Sequence, residues 1–173
     1  GAERLIAIER DARIVEALAD LAASYPERLE VVEADALRID ERRLLRGRAK
    51  IVANLPYNIA TPLLIKWLKR IDAFHDLTLM FQKEVAARIA AKPGGGDYGR
   101  LSVMTQWLCE VRRLFDVAPG AFVPPPKVTS TLIKLTPRER PLAPADWDSL
   151  ERVTAVAFNQ RRKMLRSALK PLG

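Results

Sequence analysis

Four times in its first ninety residues the chain repeats one form, a short apolar run closed by an acid or a carboxamide. The run "LIAI" at 5–8 leads into Glu9 and Asp11, after which Ile14, Leu18 and Leu21 fall at helical spacing. The run "LEVV" at 29–32 leads into Glu33 and Asp35, and "KIVAN" ends on Asn54, with a helix through Leu63, Leu64, Trp67 and Leu68 expected to begin near Thr61. The fourth, "LTLMFQ" at 77–82, opens directly into the helical "KEVAARIAA". Runs this short and apolar read as buried strands, and strands alternating with helices predict an α/β layered domain with a mostly parallel sheet.

Further along, the glycines of "KPGGGDYG" make a flexible connection rather than a phosphate cradle. "RLSVMTQWLCE" is expected as a helix and "RRLFDV" as a strand, while "STLIKLTP" alternates polar and apolar residues and predicts a late antiparallel strand. Pro137, Pro141 and Pro144 then form a linker, and Trp147 to Leu169 reads as helical and basic. The expected organisation is one sheet domain over 1–137 and the start of a small helical domain over 138–173.

Several function classes drop out early. The apolar runs are interrupted by Arg, Lys or Glu, so none approaches a membrane-spanning length, and the start carries no secretory leader; a cytoplasmic protein with no membrane partner is expected. Cys109 is the only cysteine and sits among Trp107, Leu108 and Val111, as a small buried hydrophobe would. His75, also alone, falls in a connecting segment between Asp72 and Asp76, and one Cys with one His cannot supply a metal-ligand set. Charge points the other way, toward a polyanion: 29 Lys and Arg against 21 Asp and Glu give +8. Half of that excess lies after Pro137, where Arg161, Arg162, Lys163 and Arg166 cluster, although a solvated helical face would look the same.

In open parallel sheets ligands bind at the carboxyl ends of the strands, which directs attention to Glu9, Asp35 and the group Asn54 to Tyr57. Glu9 there can accept from both hydroxyls of a ribose, and Asp35 from the exocyclic amine of the same nucleoside; an acid in such a place is also an ordinary helix cap or turn residue. Asn54 and Pro56 likewise form turns, and Tyr57 can simply pack. The chemical alternative is specific. An adenine 6-amino nitrogen is a poor nucleophile because its lone pair is delocalised into the ring. Two acceptors, the Asn54 carboxamide oxygen and the Leu55 carbonyl, would hold both amine hydrogens and favour a pyramidal nitrogen with a free lone pair. Pro56 stiffens the turn that presents them, and Tyr57 offers a face on which a flipped base can stack.

The sequence "NLPY" followed by "NIATPLL" resembles the ribosomal RNA small-subunit adenine dimethyltransferases of the KsgA type. The likeness continues in order through "IERD", "EADAL", "QKEVAARIAAKPGGGDYGRLSV", "FVPPPKVTSTLIKL" and "FNQRRKMLRSAL". It implies a Rossmann-like methyltransferase sheet using S-adenosylmethionine, with a small C-terminal helical domain. It implies an enzyme that dimethylates the 6-amino groups of two adjacent adenosines near the 3′ end of small-subunit ribosomal RNA, acting as a monomer on the assembling subunit. By the same resemblance Glu9 holds the cofactor ribose, Asp35 and Ala36 its adenine, and Asn54 lies against both cofactor and target. Asn54, Leu55, Pro56 and Tyr57 form the catalytic group, Phe122 closes on the other face of the base, and Lys127, Arg161, Arg162, Lys163 and Arg166 contact RNA phosphates.

The resemblance also implies a missing part. The family's glycine-rich cofactor loop and the first strand before it have no counterpart here, so two interior strands are expected to carry unpaired backbone edges. The helical domain also stops early, and the segment as it stands is expected to be inactive although its parent chain is not. Two alternatives use the same fold: a non-catalytic assembly or transcription factor, and a methyltransferase that confers antibiotic resistance by modifying large-subunit RNA. A DNA adenine methyltransferase fits less well, since those resemble Asp-Pro-Pro-aromatic at this place.

Overall fold

The computed structural model describes residues 2–159 and 164–172. It divides into two compact units, 1–47 and 48–173. In the first, β1 (Leu5–Glu9) lies parallel to β2 (Leu29–Glu33) with Leu5 opposite Leu29 and Glu9 opposite Glu33. Two short helices, α1 (Ala12–Ala17) and α2 (Ala19–Ser24), connect them. Asp11 caps α1 by accepting from the Arg13 backbone N–H at 3.0 Å, so the acid that ends the first apolar run also starts the helix. Two strands cannot close a core: Ile14 and Leu21 remain exposed, and every fully buried apolar side chain among the described residues lies beyond residue 47.

The second unit is built on a four-stranded sheet in the order β3 (Ala49–Asn54), β4 (Phe74–Gln82), β6 (Ser130–Pro137), β5 (Cys109–Val117). β3 and β4 pair in parallel, and β6 inserts antiparallel to both β4 and β5, so the sheet is mixed. The alternating late strand is the antiparallel one, as its pattern predicts. Because side chains alternate along a strand, one face presents Leu77, Leu79 and Phe81 of β4 with Ile133 and Leu135 of β6, all fully buried. Against the core pack Leu63, Leu64, Trp67 and Leu68 of α3 (Tyr57–Leu68), Ala86 and Ile89 of α4 (Lys83–Ala90), and Met104 and Trp107 of α5 (Arg100–Leu108). The opposite face carries Lys50, Val52 and Asn54 of β3, and Val52 is 79% exposed. Among the described residues, the strands expected to be interior, β1 and β3, each pair on one side only.

Three boundaries differ from the sequence expectation. Helix α3 begins at Tyr57, not near Thr61, because Pro56 with φ −56° stands at its cap position and accepts from the Ile59 N–H at 3.1 Å. Pro62, the sixth residue of the helix, has no N–H to give the Asn58 carbonyl, so the helix loses that one bond. β4 starts at Phe74, which puts His75 in a strand, exposed, rather than in a connection. Cys109 and Glu110 open β5 instead of ending α5. Burial pushes the Cys109 thiol up to about 12, against the pull of nearby Arg138, so it is an inert packing residue.

After Pro137 the chain stays strapped to α5: Arg138 N–H donates to Leu108, Leu142 N–H to Trp107, and the Trp107 indole to the Ala143 carbonyl at 2.8 Å. Helix α6 (Trp147–Asn159) then docks through Thr154, buried against Met104, and through the Arg100 to Glu151 ion pair at 2.6 Å. Beyond it α7 covers Leu165–Ala168.

Candidate functional site

Glu9 and Asp35 stand at the carboxyl ends of adjacent parallel strands, and the Glu9 carbonyl accepts from the Ala34 N–H at 2.9 Å, so the two ends are tied together. Each acid spends one oxygen on its own turn. Glu9 Oε1 accepts from the backbone N–H groups of Arg10 and Asp11 at 2.7 and 2.9 Å. Asp35 Oδ1 accepts from the Leu37 N–H at 2.9 Å, with Arg38 3.9 Å from the other oxygen. Among the described residues Glu9 Oε2 accepts nothing. The turn and ligand readings are therefore compatible, since the local backbone bonds orient each carboxylate through one oxygen only. Ala36 follows, half-buried.

In the second unit, Asn54 ends β3 with its side chain exposed. An asparagine used as a turn former bonds the backbone nearby. Asn54 does not: neither its carboxamide nor the Leu55 carbonyl has a hydrogen-bond partner among the described residues. Leu55 buries its side chain, at 6% exposure, which fixes the backbone whose carbonyl it carries. Pro56 has no N–H and so adds no competing donor. The result is two adjacent acceptors held on a rigid turn.

Tyr57, the first residue of α3, is half-buried, and its hydroxyl lies 2.8 Å from the Ser130 hydroxyl at the start of β6. Phe122 lies in the 118–129 loop between β5 and β6, half-buried, just after a short 3-10 turn at Pro119–Ala121. Lys127 is exposed on the same loop and Arg166 is exposed on α7. Arg161, Arg162 and Lys163 lie outside the described residues.

Two residues of this region escaped the sequence reading. Ser130 has no signal of its own. Asp116 is the last residue but one of β5, a strand antiparallel to its neighbour, so the rule for the carboxyl ends of parallel strands does not reach it. Its carboxylate receives Lys83 Nζ at 2.7 Å, the Thr131 hydroxyl at 2.7 Å and Arg113 at 3.2 Å, pinning both bases of the Phe122 loop. Lys83, then Thr131 and Arg113, hold it down to about 2. A carboxylate depressed below its unfolded value of about 3.9 favours the fold above that pH, and the contribution fades as pH falls toward about 2. Asp116→Asn is accordingly expected to lower the thermal midpoint near neutrality, with the gap from the parent narrowing below about pH 4. A gap that stays constant through acid titration would show that the charge is not what anchors the loop.

The family model described as Ribosomal RNA adenine dimethylase matches residues 2–173. The chain is 62% identical over 173 residues to the ribosomal RNA small subunit methyltransferase A of Rhodospirillum rubrum, covering all of this chain and 60% of that protein. Its similarity to the protein of that name from Paramagnetospirillum magneticum is 60% over 173 residues, covering 62% of the relative. The chain thus spans about 60% of the length of the curated relatives it matches. Among solved structures, a dimethyladenosine transferase from Plasmodium falciparum is similar with a TM-score of 0.86 and 31% identity, over 98% of this chain and 60% of that one. The 23S rRNA methyltransferase ErmE is similar with a TM-score of 0.73 and 25% identity, over 96% of this chain and 66% of that one.

Proposed function

Because the chain belongs to the ribosomal RNA adenine dimethylase family, we propose that its intact parent dimethylates the 6-amino groups of two adjacent adenosines near the 3′ end of small-subunit ribosomal RNA. The observation that carries this reading is the acceptor pair of Asn54 and Leu55, unpartnered among the described residues and just ahead of Tyr57 on the turn that opens α3. S-adenosylmethionine, when bound, supplies the electrophilic methyl group. The second oxygen of Glu9, which accepts nothing among the described residues, suits a ribose diol, and Asp35 with Ala36 suits the amine-bearing edge of an adenine, so the residues present fit the nucleoside part of that cofactor. Asn54 Oδ1 and the Leu55 carbonyl accept from the two hydrogens of the target amine, localising the nitrogen lone pair. Tyr57 stacks on the flipped base and Phe122 covers its other face, with stacking on the order of 1–3 kcal/mol per base. No strong base is needed, since the proton leaves an already methylated, acidic ammonium.

Residues 138–173 would begin a helical region in which Arg161, Arg162, Lys163 and Arg166, with Lys127 of the loop, neutralise RNA phosphates. Such an enzyme works as a monomer in the cytoplasm, where small subunits assemble. Identity near 60% to small-subunit methyltransferases, against 25% to a large-subunit one, favours the small-subunit substrate.

The test is labelled methyl transfer by the full-length protein to small subunits that lack the modification. Incorporation confined to two neighbouring adenosines, two methyls on each, supports the reading. Binding without incorporation would leave an assembly factor instead. In the same assay Glu9→Gln keeps the turn acceptor but removes the charged one; the KM for S-adenosylmethionine is expected to rise about tenfold with kcat little changed. An unaltered KM would remove Glu9 from the cofactor site.

A further inference from the structure

Three consecutive residues at the start of β6 each tie to a different element. The Thr129 carbonyl accepts from the Lys83 N–H at the head of α4, at 2.9 Å. The Ser130 hydroxyl meets the Tyr57 hydroxyl at the head of α3, at 2.8 Å. The Thr131 hydroxyl donates to Asp116 at the end of β5, at 2.7 Å. These residues close the C-terminal end of the loop that carries Phe122.

Ser130 is the unexpected member. It is fully buried, flanked in register by Gln82 of β4 and Val117 of β5. A buried hydroxyl needs a partner, and an alanine there would need none. The partner it has is the para oxygen of the one aromatic ring at the head of α3, 73 residues away in sequence. The para oxygen lies on the axis about which a phenol ring spins, so a bond there leaves the spin free but holds the direction of that axis, and with it the place where the ring stands.

We propose that Ser130 is a positioning residue: its hydroxyl fixes where the Tyr57 ring stands and so joins the stacking ring on α3 to the strand that anchors the Phe122 loop. The inference rests on the proposed methylation of a flipped adenine. Ser130 itself touches neither base nor cofactor. What it supplies is a ring already in place when the base arrives, so that less freedom is lost on stacking.

The experiment compares Ser130→Ala, Tyr57→Phe and the double variant in the full-length protein, with Asn54→Ala as a separate control. Tyr57→Phe keeps the stacking ring and removes the same bond from the accessible side, so a folding defect at the buried position cannot mimic the result. Each single variant is expected to lower kcat/KM for the RNA about three- to tenfold, the size of one hydrogen bond. The double variant should be no worse than either, and KM for S-adenosylmethionine should not move. Additive losses, or a Tyr57→Phe protein equal to its parent, overturn the positioning role while leaving the methyltransferase reading intact. If the parent transfers no methyl groups, or Asn54→Ala transfers them normally, that reading falls and this inference with it.

Discussion

Asn54→Ala in the full-length protein is expected to reduce methyl transfer by a factor on the order of 10² to 10³, while binding to small subunits persists. The loss follows from what the carboxamide does. In the ground state an adenine amine is flat and its lone pair is shared with the ring; only on the way to the transition state does the nitrogen become pyramidal. An acceptor placed for that geometry strengthens as the reaction proceeds, and such an interaction raises kcat rather than affinity. Asn54 suits the role because its oxygen is committed to nothing else among the described residues and stands on a turn made rigid by Pro56 and by the buried Leu55 side chain. Asn54→Asp, which keeps an acceptor in place, should retain a larger share of the rate than alanine. If Asn54→Ala raised KM for the RNA and spared kcat, the carboxamide would be a binding group and the activation argument would fail.

Phe81→Ala should have the largest effect on stability, a loss of about 3–5 kcal/mol measured by urea unfolding. Phe81 is fully buried on β4, between the partners β3 and β6, and belongs to the face that packs on the helices. Removing the ring leaves a cavity in the buried face that Leu77 and Leu79 continue along β4. Domains are stable by only about 5–15 kcal/mol, so the variant should sit near the edge of folding. It would also loosen the end of the strand from which Gln82 and Lys83 support the Phe122 loop. A cost under about 1 kcal/mol would mean that the neighbouring side chains collapse into the space.

The strands were legible because each is a run of apolar residues that a buried sheet requires, and the strand-end rule then led to Glu9, Asp35 and Asn54. Boundaries failed where local chemistry outweighed periodicity. His75 and Asp76 interrupt the apolar run of β4 because they occupy positions where polar side chains are tolerated, so the strand looked shorter than it is. Cys109 continues the apolar spacing of α5 and looked helical, although the chain has already turned into β5. The α3 start is hidden because Asn54 and Pro56 have the chemistry of a turn, while the fixed φ of proline makes a helix entrance equally well. Nothing in the sequence announces that β6 inserts between β4 and β5, nor that Tyr57 meets Ser130, because both depend on residues far apart along the chain. Local turns can be read from neighbours, and non-local partners cannot.

The half-paired strand β3 has a practical consequence. Its outer side presents a ladder of backbone donors and acceptors with no strand opposite among the described residues, and Val52 adds an apolar side chain that is 79% exposed. Such an edge is a template on which a second polypeptide can add as another strand. Residues 48–173 produced as an isolated polypeptide should therefore self-associate in a concentration-dependent way. A lysine at position 52 or a proline on the outer edge would be the natural gatekeeper for keeping that preparation in solution.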